Sequence, residues 1–123
     1  MEGDRNVAEE IVEELVRDKY VDDLRYSSAF ARDKSVLSGW GSIKIRHALQ
    51  QKGICRDVIH AALKEIDAPK AHTRLEKIME TKYRTLKDDP QWKMKMLRFG
   101  LGRGYEYDEV SEVIGILSGN SEE

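Results

Sequence analysis

The sequence has 123 residues, one cysteine, 36% charged and 7% aromatic side chains, and a formal net charge of −2. That length suffices for one domain or a short array of helical units, which buries roughly two-thirds of the unfolded-chain surface without a disulfide or metal. Cys55 cannot form an internal disulfide, no apolar run is long enough to span a membrane, and the acidic start is no secretory signal, so a soluble cytoplasmic protein is expected.

The elements are predicted in chain order from apolar periodicity. "VAEEIVEELVRD" puts Ala8, Ile11, Val12, Leu15 and Val16 on one stripe of a helix, with Glu9, Glu10, Glu13 and Glu14 facing away. Asp22 or Asp23 is expected to cap a second helix, "DLRYSSAFARDK", with Tyr26, Ala29 and Phe30 on its apolar side. Gly39 and Gly41 then break the chain before "SIKIRHALQQK", where Ile45, Ala48 and Leu49 form the buried stripe. Gly53 ends that helix as a left-handed cap residue. "RDVIHAALKEI" follows, with Val58, Ile59, Ala62, Leu63 and Ile66 on a narrow arc. A longer helix runs from near Pro69 to Lys87. Asp89 and Pro90 read as the cap and first position of the next helix, which continues to Gly102 or Gly104. "YDEVSEVIGIL" is the last helix, with acids in its first turn, and 119–123 is expected to be a frayed tail.

No strand alternation of useful length occurs, so the fold class is all-α. Laying Gly53 on Gly104 brings Ile54 onto Tyr105, Asp57 onto Asp108, Ile59 onto Val110, Ala62 onto Val113, Leu63 onto Ile114 and Ile66 onto Leu117. A weaker match lays Leu15 on Leu49 and Asp23 on Asp57. The pattern is a three-helix unit in tandem, its first copy incomplete: 1–23, then 24–67, then 70–118. Such units must stack to bury their apolar faces, giving an elongated, curved array. The glycines are joints between helices, and Trp40 and Trp92 pack in the core or between units rather than hold a ligand.

Charge is segregated along the chain. Residues 1–24 carry −6, residues 25–104 carry +10 and residues 105–123 carry −6. This order suits a polyanion or an acidic protein surface as partner of the middle; it equally suits solvated helices whose ends neutralise the centre. No catalytic constellation, cofactor cradle or metal site is expected. Gly100, Gly102 and Gly104 lack the spacing of a dinucleotide fingerprint, there is no phosphate-loop lysine, and His47, Cys55 and His60 fit no zinc spacing. Asp22, Asp23, Asp88 and Asp89 read as helix caps. Tyr26 reads as a core residue, whereas Arg25 suits either a partner contact or a bridge to Asp22.

Several spaced elements resemble the RecX family, regulators of the RecA recombinase. Asp22, Asp23, Arg25 and Tyr26 match its Asp-Asp-x-Arg-Tyr opening, with Ser27 where alanine is usual. Gly39 and Gly41 match its glycine pair, and Leu49, Lys52, Gly53 and Ile54 its Leu-x-x-Lys-Gly-Ile turn. "KMLRFGLGRGYEYDEV" resembles its third-repeat segment, except that Gly100 replaces an apolar residue, which is expected to weaken packing there. Family members carry more chain before the Tyr20–Asp23 segment, so the first unit is expected to be represented by its end. The resemblance implies a monomeric cytoplasmic regulator, without cofactor, that binds the RecA–DNA filament and lowers its ATPase, strand-exchange and coprotease activities in DNA repair, recombination and the SOS response. Arg25, Arg32, Lys44, Arg46 and Lys52 are the expected contacts to the RecA filament or to DNA within it. The alternative reading is a stand-alone basic helical module that binds nucleic acid.

Overall fold

A computed structural model describes the backbone over residues 2–122 and side chains over residues 7–119. Among the described residues there are six helices and no strand: α1 (Glu2–Val36), α2 (Ser42–Gln51), α3 (Arg56–Leu63), α4 (Ala68–Leu86), α5 (Trp92–Gly102) and α6 (Tyr107–Glu122). Two separate cores organise them. The first gathers Ala31, Ile45, Leu49 and Ile59 from α1, α2 and α3, with Phe30, Trp40, Ile54, Leu63 and Ile66 around it. The second gathers Leu75, Met79, Met96, Tyr105, Val110, Val113 and Leu117 from α4, α5, α6 and the turn between the last two. The accessible surface is 8705 Å², against about 6,800 Å² for a compact monomer of this mass. The excess is that of an extended array.

The overlay of Gly53 on Gly104 is reproduced in the hydrogen bonds. Gly53 N–H donates to Gln50 and Ile54 N–H to Leu49, while Gly104 N–H donates to Leu101 and Tyr105 N–H to Gly100. Both turns are the same six-to-one and five-to-two closure of a helix end, with the glycine left-handed at φ 82° and φ 93°. Each unit also seats a tryptophan edge-on against an aromatic ring of its first helix. Trp40 meets Phe30 at 6.1 Å and Trp92 meets Tyr83 at 5.0 Å between centroids. Both tryptophans are half-buried packing residues.

The chain departs from expectation at four places. The break before residue 24 is absent: α1 runs unbroken through Asp22 and Asp23. No glycine or proline lies between residues 4 and 38, and mid-helix aspartates cost only about 0.7 kcal/mol each, which is too little to stop a helix. Tyr26 is not a core residue; it is 47% exposed and leans on Phe30 at 6.0 Å. Pro90 precedes α5 in a turn instead of opening it. Asp89 accepts from Gln91 N–H at 2.8 Å and pairs with Lys95; the Lys95 ammonium and that N–H hold its carboxyl below the usual range. Finally, Gly100 tightens the packing. A side chain there would bring Cβ within 2.7 Å of both Val110 methyls, so its absence lets α6 close on α5. The tail expected to fray at 119–123 lies, from Asn120 onward, outside the described side chains, although α6 itself runs to Glu122.

The two units meet through backbone. Gly41 N–H donates to Arg103 O at 2.8 Å and Ile43 N–H to Gly104 O at 3.0 Å. The open N-terminus of α2, which has no side-chain cap, is therefore satisfied by the carbonyl end of α5, and the two helix dipoles meet with opposite partial charges. Arg103 adds hydrogen bonds from Nε to Gly39 O at 3.1 Å and from Nη2 to Ser38 O at 2.8 Å. A Cβ on Gly41 would lie 2.2 Å from the backbone of Gly104 and Tyr105, so only glycine permits this approach. The Gly39–Gly41 stretch is thus a joint between units as well as a break between helices.

Candidate interaction surface

α1 leaves its C-terminal half packed on α2 and α3 through Ser27, Ser28, Ala31 and Ser35, all buried. Small residues let the helices approach closely, and the longer side chains between them are pushed to the flanks. Phe30 and Lys34, one turn apart, fall on the flank facing the start of α2. There Lys34 Nζ sits 4.7 Å from the Trp40 centroid and 5.6 Å from Phe30. Lys44 Nζ lies 4.5 Å from Trp40, and Lys52 Nζ 5.6 Å from Phe30. Three ammonium groups thus converge on two edge-on rings. Each contact contributes on the order of 0.5–1 kcal/mol at a solvated site, which orders the lysines without neutralising them. None of the three is paired with a carboxylate among the described residues. The cluster presents fixed positive charge beside an aromatic surface, an arrangement that takes an anionic partner.

The sequence-derived contacts are distributed over three places. Lys44 and Lys52 enter this cluster. Arg46, on the other flank of α2, lines a cleft of about 370 Å³ with Gln50, Arg56 and His60. Arg25 and Arg32, seven residues apart, share one exposed side of α1, roughly 140–180° around the helix from Phe30 and Lys34 at 100° per residue. The structure therefore divides the five into the Lys44–Lys52 pair, the Arg25–Arg32 pair and Arg46 by itself. Lys34 was missed by sequence reasoning; its spacing of four from Phe30 was a readable signal, but the approach of Trp40 was not. Among the described residues no three His, Cys, Asp or Glu side chains converge as metal ligands, and His47 instead contacts Gln51 at 3.0 Å. No helix is long and apolar enough to cross a membrane among the described residues.

Comparison with known proteins agrees with this architecture unit by unit. Residues 22–63 match the RecX second three-helix domain and residues 72–114 the RecX third three-helix domain. The chain belongs to the RecX family. It is 30% identical over 118 residues to the Regulatory protein RecX of Clostridium tetani, covering 93% of this chain and 54% of that protein. It is 35% identical over 99 residues to that of Clostridium botulinum strain Eklund 17B, with 77% and 46% covered, and 33% identical over 94 residues to that of Salmonella arizonae, with 76% and 56% covered. The chain spans about half the length of the curated relatives it matches. No solved structure matches it.

Proposed function

We propose that this chain is a non-catalytic cytoplasmic regulator that binds the RecA–DNA filament and inhibits its ATPase, strand-exchange and coprotease activities, acting as a monomer in DNA repair, recombination and the SOS response. In this reading residues 1–23 are the end of an incomplete first unit, followed by full units at 24–67 and 70–118 and a short tail at 119–123. Membership of a family whose relatives carry the name of regulatory protein supports it. The observation that carries it is the cluster of Lys34, Lys44 and Lys52 on the Phe30–Trp40 pair, a charged surface ordered by ring contacts. An extended array with a fixed cationic face suits a long anionic partner better than a small substrate. Arg25, Arg32, Arg46, Lys44 and Lys52 are its proposed contacts.

The test is the single-stranded-DNA-dependent ATPase of RecA from the same organism, with this chain added below stoichiometric amounts. Inhibition is expected, and Lys44→Glu combined with Lys52→Glu should weaken it about tenfold or more, because charge reversal converts attraction into repulsion across the interface. Absence of inhibition, with DNA binding that vanishes as salt rises, would replace this reading by the stand-alone nucleic-acid module.

A further inference from the structure

A second cationic surface lies on the other side of the joint, on residues the first reading does not use. Two clefts lie along α4. One, about 390 Å³, is lined by Val36, Pro69, Lys70, Thr73, Arg74 and Lys77. The other, about 370 Å³, is lined by Arg74, Lys77, Thr81, Lys82, Phe99 and Arg103, among others. Because Arg74 and Lys77 line both, the clefts form one trough from Pro69 to Thr85, about 24 Å long at 1.5 Å per residue. Five cations line it and no carboxylate does.

The acids of α4 lie elsewhere and are already engaged. Glu76 pairs with His72 at 2.8 Å and Glu80 with Arg84 at 3.0 Å. On the wheel these glutamates sit on the order of 100–160° from Arg74 and Thr81. Lys70, Arg74, Lys77 and Lys82 are left without a carboxylate partner among the described residues. Arg74 Nε has no hydrogen-bond acceptor at all, although burying such a donor unpaired is costly. Arg103 closes the inner wall, held by the carbonyls of Ser38 and Gly39 and set 5.8 Å from the Phe99 centroid. Lys82 covers the same ring at 5.2 Å. Four like charges along the α4 wall, facing Arg103, are tolerated in the folded state only where solvent or an anion offsets them.

We propose that this trough binds the sugar–phosphate backbone of a nucleic-acid strand. A linear row of cations, on average about one per helical turn and with no interrupting acid, matches a polymer that carries one charge per residue. The planar guanidinium groups of Arg74 and Arg103 suit phosphate oxygens. An acidic peptide is read by a compact cluster of arginines, whereas three of these five cations are lysines and the five are spread along the trough. The inference deepens the filament reading by naming where the strand is touched, but naked-strand binding is measured without a recombinase.

The experiment uses the full chain and a fluorescently labelled oligothymidylate, with anisotropy read across a salt series. Binding is expected to weaken steeply with salt. Lys70→Glu combined with Lys77→Glu should weaken it about tenfold or more and flatten the salt slope by about 0.7 for each lost phosphate contact. Lys64→Glu, outside the trough, should leave binding unchanged. Lys70 and Lys77 are exposed, so the double variant should keep the wild-type circular dichroism melt; if it does not, the Gln–Gln pair takes its place. No strand binding by the wild type, or equal binding by a folded double variant, would overturn the proposal. So would displacement of the strand by polyglutamate at equal charge concentration, which would assign the trough to an acidic protein segment. Intact strand binding without recombinase inhibition would count against the proposed function alone.

Discussion

Gly53 and Gly104 occupy the same turn with the same hydrogen bonds and nearly the same φ, yet their surroundings differ. A Cβ on Gly53 would meet nothing within 4 Å, whereas one on Gly104 would lie 2.3 Å from Lys44 Cβ and 2.6 Å from Lys44 N. Gly53→Ala should therefore cost only the left-handed penalty, about 1 kcal/mol. Gly104→Ala adds a clash with backbone that cannot move without opening the joint, and overpacking of that kind costs about 1–3 kcal/mol more. Chemical denaturation of the two variants side by side reads the difference; equal losses would mean the units do not meet at Gly104. The next residue, Tyr105, is buried in the second core, where its hydroxyl has no hydrogen-bond partner and burial pushes the phenol above its ordinary range.

At the scale of elements, α1 is two helices in one. Its second half is packed. Its first half exposes Ile11, Val12, Leu15 and Val16, each more than half accessible. That stripe points roughly 135° around the helix from the side that Leu24, Ser27, Ala31 and Ser35 turn toward the body. The amphipathic pattern of residues 7–18 was legible in the sequence, and so was the helix it forms. What the stripe packs against was not, because periodicity records a face and not its neighbour. Leu15→Asp should accordingly leave the unfolding free energy of this chain within about 0.5 kcal/mol of wild type. Leu49→Ala, in the first core at 0% exposure, should cost about 2–5 kcal/mol. A large loss from the Leu15 substitution would show that the stripe is covered in solution.

For the whole molecule, the relation between units decides what the cationic surfaces can do. Two cores of ordinary size are coupled by the contact of α1 with α4 and by the Gly41–Gly104 joint, where Arg103 donates to two carbonyls of the preceding unit. Hydrogen bonds from a charged donor contribute about 1.5–3 kcal/mol each. Arg103→Ala should therefore uncouple the units, turning a single calorimetric transition into a broadened or two-step one. A melt that stays single and sharp would locate the coupling in α1 and α4 instead.

The sequence by itself determined the all-α class, the five helices after Gly41, the glycine ends at Gly53 and Gly104, the repeated unit and the family. Each follows from local patterns: a 3.6-residue period, a left-handed cap position, and motif residues at fixed spacing. It also supplied the excess positive charge of residues 25–104. Only the tertiary structure decided how that charge is divided. Lys44 and Lys52 meet Lys34 because Trp40 and Phe30 pack edge-on, while Arg46 turns to α3. Arg74, Lys77 and Arg103 share a trough because α4 packs against α5, and backbone hydrogen bonds from Gly41 and Ile43 to Arg103 and Gly104 join segments more than sixty positions apart. Such contacts depend on close approach between distant segments, which no local pattern encodes.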